Sequence, residues 1–342
     1  MKYPEKLKYR FKVWLGVVST LVFLTIGCNA GAQYLEHGLP RFINFAPKEY
    51  KQESQNFSVT QDQLGIMYFG NLNNILRFDN ASWQSYPLKG TPILCVTPKG
   101  DIYAGGYNSI VRLQSHFNRV EIKELPIPEN IFFGQINLIT ALGSQVYFIG
   151  QDMILTNKND SLQVIYKSQE PIKAFEAQGK IYISTPRIGL QVFDPGSKRI
   201  KPVNNNEYFI GNRVIDVLKF NDTTILVKCL ETDGFYFLSP GKISYFATDA
   251  DSYINENGYV KSIMLSDRSI VTGTEYGGII CYDDHGQYKF SLNKKHGMLD
   301  NRVTDLYVGR SGQLWITTYN GITMVDYPSA LGYFNTSYGI NG

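Results

Sequence analysis

Seven times between Asn56 and Asp326 the chain repeats one phrase. A β-rich run is followed by a polar turn carrying Gly or Asp, a strand centred on an aromatic or aliphatic residue, another turn, and a short apolar strand. This recurrence constrains the fold more than any single residue does. A small antiparallel sheet of this size cannot hide both of its faces, so neighbouring copies must stack and bury their apolar side chains against one another. The spacing between copies alternates between about thirty-five and forty-five residues, the range of a four-stranded propeller blade. The expected fold is all-β: a seven-bladed β-propeller of four-stranded antiparallel blades, preceded by a secretory leader.

The last copy is the clearest. Asn301 to Tyr307 leads into the turn Arg310-Ser311-Gly312, then Gln313-Leu314-Trp315-Ile316-Thr317-Thr318, the turn Tyr319-Asn320-Gly321, and Ile322-Thr323-Met324-Val325-Asp326. The first copy runs from Phe57 through Gly65 and Tyr68 to Phe78-Asp79, and the middle strands of the others centre on Tyr103, Tyr147, Tyr182, Leu226 and Val271. Lys99-Gly100-Asp101, Asn221-Asp222 and Ser311-Gly312 separate alternating apolar runs, as tight hairpins require. Past Gln33 no stretch carries a sustained helical apolar period, so essentially no helix is expected.

Residues 1–32 form the second signal. Lys2, Lys6, Lys8, Arg10 and Lys12 outnumber Glu5 and precede an apolar run from Val13 to Ile26, followed by Gly27-Cys28-Asn29-Ala30-Gly31-Ala32. That is the layout of a signal peptide cleaved after Ala32, and the run is short for a membrane span. Export to the periplasm or the outer face of the inner membrane follows. Cys28 offers a rival outcome as a lipid-attachment site, against which Thr25 stands where Leu is usual. The formal net charge of +3 includes the leader, so the exported chain is close to neutral and a nucleic-acid-binding surface is not expected. Aromatic residues make up 14% and charged residues 18%, a composition suited to pleated, half-buried surfaces.

Cys95, Cys229 and Cys281 each lie inside an apolar strand. An odd, widely spaced set is not a disulfide framework, and buried thiols acting as small hydrophobes are expected. No phosphate-cradling loop and no dinucleotide fingerprint occurs. His37, His116, His285 and His296 lack the paired spacing of a metal site; Asp283-Asp284-His285-Gly286 reads as a polar hairpin tip. Neither a cofactor nor a metal is expected.

The segment Gly297 to Asp326 resembles the repeat of the two-component regulator propeller family through Asn301-Arg302-Val303, Gly312-Gln313-Leu314-Trp315-Ile316-Thr317-Thr318 and Asn320-Gly321-Ile322. Gln61-Asp62, Gly65 to Asn71, Phe78-Asp79 and Trp83 resemble the first blade of the same sensors. Gly309 departs from the pattern, standing where the family usually places an Asp before the turn. The resemblance implies the amino-terminal sensor region of a bacterial transmembrane signalling protein. Such propellers are commonly followed by a second propeller, a triple-tyrosine immunoglobulin-like domain, a membrane helix and a cytoplasmic output module. The membrane would then be reached only through a segment past Gly342.

In a propeller the loop entering each inner strand and the loop between second and third strands open on one face. By that logic Asn212, Arg213, Asn301 and Arg302 enter inner strands, while Asn71, Tyr107, Arg187, Tyr276, Tyr319 and Asn320 belong to second-to-third-strand loops. These types suit an oligosaccharide or another small polar ligand, combining flat stacking surfaces with hydrogen-bond donors. Equally, Asn can hold a turn and Arg can pair with Asp216 or Asp305 on its own strand. Three functions remain open. The first is a non-catalytic sensor, the second a secreted hydrolase or lyase acting on glycans through carboxylates such as Asp216, Glu275 or Asp305, and the third a structural scaffold. The expected layout is a leader at 1–32, a segment at 33–55 with a ring-closing strand, the propeller at 56–335, and at 336–342 the start of a further repeat of a truncated chain.

Overall fold

The computed structural model describes residues 39–116, 119–197, 199–328 and 332–333. The leader expected at 1–32 and the repeat start expected at 336–342 lie outside the described residues, as does His37. The rest is a seven-bladed β-propeller. Its inner strands are Asn56–Gln61, Ile93–Val96, Leu138–Leu142, Lys173–Ala177, Val214–Lys219, Tyr259–Met264 and Val303–Val308, here numbered blades 1 to 7. Each begins an antiparallel sheet in simple sequential order. Each inner strand packs beside those of its two neighbours, and that of blade 7 packs beside that of blade 1, so the ring is closed. Tyr103, Tyr147, Tyr182, Leu226 and Val271 all fall in second strands, as the repeat spacing places them.

The core lies between blades. Tyr68, Ile75 and Leu76 are buried in blade 1, and Phe148, Phe193 and Phe235 in blades 3, 4 and 5. Tyr68 and Ile75 pack on Leu94, Ile102 and Val111 of blade 2; Phe148 packs on Tyr103 and Ile110 of the same blade. Each fully buried large side chain contributes roughly 1.5–3 kcal/mol, and no blade could supply that burial alone.

Closure joins the two ends of the chain. Leu39–Phe45 runs antiparallel to Gly321–Asp326 in the register Arg41↔Asp326 to Phe45↔Ile322, giving blade 7 its fourth strand. Gly332–Tyr333 pairs outside Leu39 and Pro40 as a fifth strand. Phe45 stacks on Trp315 of blade 7 at 5.8 Å and meets Phe78 and Trp83 of blade 1 edge-on at 5.1 and 5.7 Å. The Asn56 side chain donates to the Gly321 carbonyl at 3.2 Å, fixing the same junction.

Among the described residues two short α-helices occur where essentially none was expected. Helix α1, Pro47–Tyr50, buries Tyr50 at the closing junction, and α2, Asp251–Asn257, buries Ile254 over the core between blades 5 and 6. At four and seven residues they are too short to show an apolar period. The departure at Gly309 also has a physical counterpart. In blade 1 the equivalent Asp62 holds its turn by accepting from Leu64 N and Ile66 N. In blade 7 Gln61 reaches across from blade 1 and accepts from Arg310 N at 2.7 Å.

Gly70 lies in the second strand of blade 1, Met67–Asn71, where the Pro92 carbonyl of blade 2 approaches. A Cβ there would lie 1.9 Å from that oxygen. Gly70→Ala is therefore expected to destabilise the fold by about 3 kcal/mol, read as a lowered urea midpoint. Cys95 is half-buried, Cys229 and Cys281 are buried, and all three are free. Burial pushes their thiols up to about 11, 12 and 12. A Cys28→Ser chain at pH 8 should show no thiol reactive toward an aromatic disulfide reagent until denaturant is added; prompt native labelling would contradict this packing.

Candidate functional site

The seven inner strands line an axial channel of about 1070 Å³. Four of them carry a β-bulge at their entering end, between Asn56 and Ser58, Val214 and Asp216, Tyr259 and Lys261, and Val303 and Asp305. A bulge re-aims the residue that follows it, and in each case that residue ties its blade to the next. Ser58 donates to Pro92 O of blade 2 at 2.6 Å. Asp216 accepts from Ser262 N of blade 6 at 3.0 Å and from the Tyr259 hydroxyl. Lys261 pairs with Asp305 of blade 7. Asp305 accepts from Val59 N of blade 1 at 3.0 Å.

These contacts set the charge state of the wall. Desolvation pulls the Lys261 ammonium down, but the charge and hydrogen bond of Asp305 outweigh it and hold the group above its usual range. Burial, then the charge of Asp216, drives the Tyr259 phenol well above its usual value, so it serves as a neutral donor. Asp216 also accepts from Val217 N at 2.8 Å and Asp305 from Leu306 N at 2.9 Å. Glu275 stands apart in an exposed loop, accepting from the Tyr276 hydroxyl at 2.9 Å. Asp216, Glu275 and Asp305 are therefore engaged separately and do not form a paired acid and base, which general acid–base chemistry would need.

At the mouth, residues of blades 6, 7 and 1 come together. The Arg302 guanidinium lies 4.6 Å from the centroid of the Tyr319 ring, and Tyr319 meets Phe57 edge-on at 5.9 Å. Phe57 in turn lines the channel. Arg302 reaches Asp300 at only 3.4 Å and remains half exposed. Tyr276 is 59% exposed beside them; the hydrogen bond and charge of Glu275 raise its phenol, with Arg302 opposing. Asn301 accepts from Lys294 N at 2.8 Å and shapes the loop. Asn320 is exposed on the neighbouring turn.

The other candidates lie elsewhere on the rim. Arg213 is clamped by Glu231 through Nε at 2.8 Å and its backbone N–H at 2.7 Å, and Asn212 donates to Tyr208 O at 2.6 Å. Glu231 and Asp300, rather than Asp216 and Asp305, are thus the partners of the two arginines. Arg187 is exposed with no ion pair among the described residues. Tyr107, 47% exposed, meets Phe132 at 5.8 Å. Asn71 is wholly buried and donates to Glu53 O, Gln55 O and Asn56 Oδ1, so it holds the loop and does not face the mouth. Two residues of the site escaped the sequence reading, Phe57 and Lys173. Their signal was an aromatic and a lysine at the entering ends of inner strands. Asp283, Asp284 and His285 approach within 4.8 Å, but Asp284 is held by Arg268 and Asp283 accepts from two backbone N–H groups of its own turn.

Residues 297–320 match the Two component regulator propeller family. The matched stretch contains Asn301, Arg302, Trp315 and Tyr319, so the Arg302–Tyr319 pair lies within this repeat while Phe57 comes from blade 1. No curated protein matches the chain by sequence. Among solved structures it is similar to the extracellular domain of a proposed one component system from B. thetaiotaomicron. That likeness has a TM-score of 0.65 at 15% identity, covering 86% of this chain and 40% of that one. A second is the extracellular domain of a proposed hybrid two component system from the same organism, with TM-score 0.64, 15% identity, and 84% and 42% coverage. A streptogramin B lyase is similar at TM-score 0.63 and 15% identity, over 84% of this chain and 97% of that one. At such identities the likeness is one of fold. The chain spans about two fifths of the length of the first two structures. Among the described residues no helix is long and apolar enough to cross a membrane.

If the post-bulge contacts hold the ring together, Asp305→Ala should lower stability by about 2 kcal/mol. Lys261→Met added to it should restore part of that loss by removing the unpaired ammonium. An unchanged urea midpoint in the single variant would refute the role.

Proposed function

We propose that this chain is a non-catalytic, exported ligand-sensing propeller of a transmembrane signalling receptor, taking a small polar ligand such as an oligosaccharide at its mouth. The observation that carries the reading is the open Arg302–Tyr319–Phe57 stack at the end of the channel, whose Arg302 and Tyr319 belong to the repeat that matches a signalling family. A guanidinium on an aromatic face keeps its remaining N–H groups directed at an incoming acceptor. The likeness to two extracellular domains of proposed signalling systems supports an extracytoplasmic setting, as does the leader read at residues 1–32. The partners in this reading are the further propeller and immunoglobulin-like domains of one receptor. A ligand would signal by binding one arrangement of those domains more tightly than another, since equal affinity shifts nothing.

A lyase reading draws on the fold likeness to streptogramin B lyase. Against it, the channel carboxylates are engaged by backbone N–H groups, a phenol and an ammonium, which favours a structural role.

Thermal-shift screening of the protein against a glycan panel is expected to give a stabilising hit without turnover. Arg302→Ala should weaken that hit ten- to a hundredfold, on the basis of about 1.5–3 kcal/mol for a charged hydrogen bond, while leaving the ligand-free midpoint nearly unchanged. Product formation from the hit, abolished by Asp305→Asn, would favour the enzyme instead.

A further inference from the structure

The channel wall has an imbalance that the mouth stack does not explain. Two of its carboxylates are fully engaged: Asp216 accepts from Val217 N, Ser262 N and Tyr259, and Asp305 from Val59 N, Leu306 N and Lys261; the third, Glu176, accepts from Gly179 N near the far end of its strand. Its cations are not all engaged. Lys261 is paired with Asp305 and Lys219 with Asp222, whereas Lys173 has no carboxylate within ion-pair distance among the described residues. Its Nζ lies over the Phe175 ring at 5.7 Å, and among the described residues no hydrogen-bond acceptor engages its N–H donors. Arg310, also on the wall and without an ion pair, belongs to a first-to-second-strand turn at the opposite end of the channel.

Lys173 opens the inner strand of blade 4, at the mouth end. In a ring of seven, blade 4 faces the junction of blades 7 and 1, where Tyr319 and Phe57 stand. Lys173 and the aromatic surface thus stand on opposite sides of the mouth. Desolvation draws this ammonium below its usual range, with Asp216 opposing. Lys173 is exposed and Asp216 lies beyond ion-pair distance, so the ammonium is open to an incoming anion.

We propose that Lys173 is the specificity-determining residue of the mouth, binding the carboxylate of an acidic sugar whose ring lies toward Phe57 and Tyr319. This rests on the reading of the mouth as a ligand site and narrows its ligand to the anionic class. A carboxylate would accept two charge-assisted hydrogen bonds from the ammonium, while the sugar ring uses the aromatic wall. The channel volume admits a chain of such residues rather than a lone one.

The test compares short oligouronates with neutral hexose oligomers of the same linkage, by calorimetry at low salt on the intact protein. The acid is expected to bind at least tenfold more tightly, with the advantage shrinking as salt rises. Lys173→Gln should abolish the preference while keeping the neutral affinity, and Lys173→Arg should retain it; unchanged thermal midpoints would show that both variants fold. Equal affinity for acid and neutral oligomers, or a preference that survives Lys173→Gln, overturns the Lys173 assignment and leaves the mouth reading standing. Binding of neither class overturns both.

Discussion

Everything in this molecule depends on the closure of the ring at the junction of blades 7 and 1. A blade buries its large residues only against a neighbour, so an open circle would expose two apolar faces. The strand Leu39–Phe45 removes that exposure by pairing with Gly321–Asp326, and Phe45 fills the corner between Trp315, Phe78 and Trp83. Backbone pairing and aromatic packing act on the same few residues, so the contact of longest sequence separation is also among the best packed.

Closure also determines what the channel can do. Inner strands that meet at an axis must join neighbours through the residues bordering the channel, and the bulges supply that link at Ser58, Asp216, Lys261 and Asp305. A carboxylate held by backbone N–H groups of the next blade is a structural cross-tie. This is why Asp216 and Asp305 are engaged as ties between blades rather than paired as an acid and a base, and why the recognition proposed above is placed at the rim. There Arg302 and Tyr319 are set by a rigid blade yet retain open donors and ring faces.

Much of the fold was legible in the chain. The period of the repeats, glycines such as Gly312 in positive-φ turns and the alternation around Trp315 named seven sheets and their strand order. The amino-terminal strand was legible as an apolar run before the first repeat. The helix Asp251–Asn257 was not, because its stability comes from Ala250 and Ile254 closing a core and not from a periodic face of its own. The rim residues could be placed by loop position, but Asn71 could not be told apart from Tyr319. Asn71 closes a second strand and Tyr319 follows one, and only burial distinguishes an amide holding its own loop from a partly exposed ring.

The sequence alone determined the number of blades, the turns that separate their strands and the set of loops that share one face, because these depend on local period and local backbone preference. Tertiary structure decided which of those side chains remain free. Whether Asp305 is paired, whether Arg213 is clamped and whether Lys173 has a counter-charge all depend on groups brought close by ring closure. Coulomb and hydrogen-bond energies act through space over a few ångströms, and no spacing along the chain records those distances.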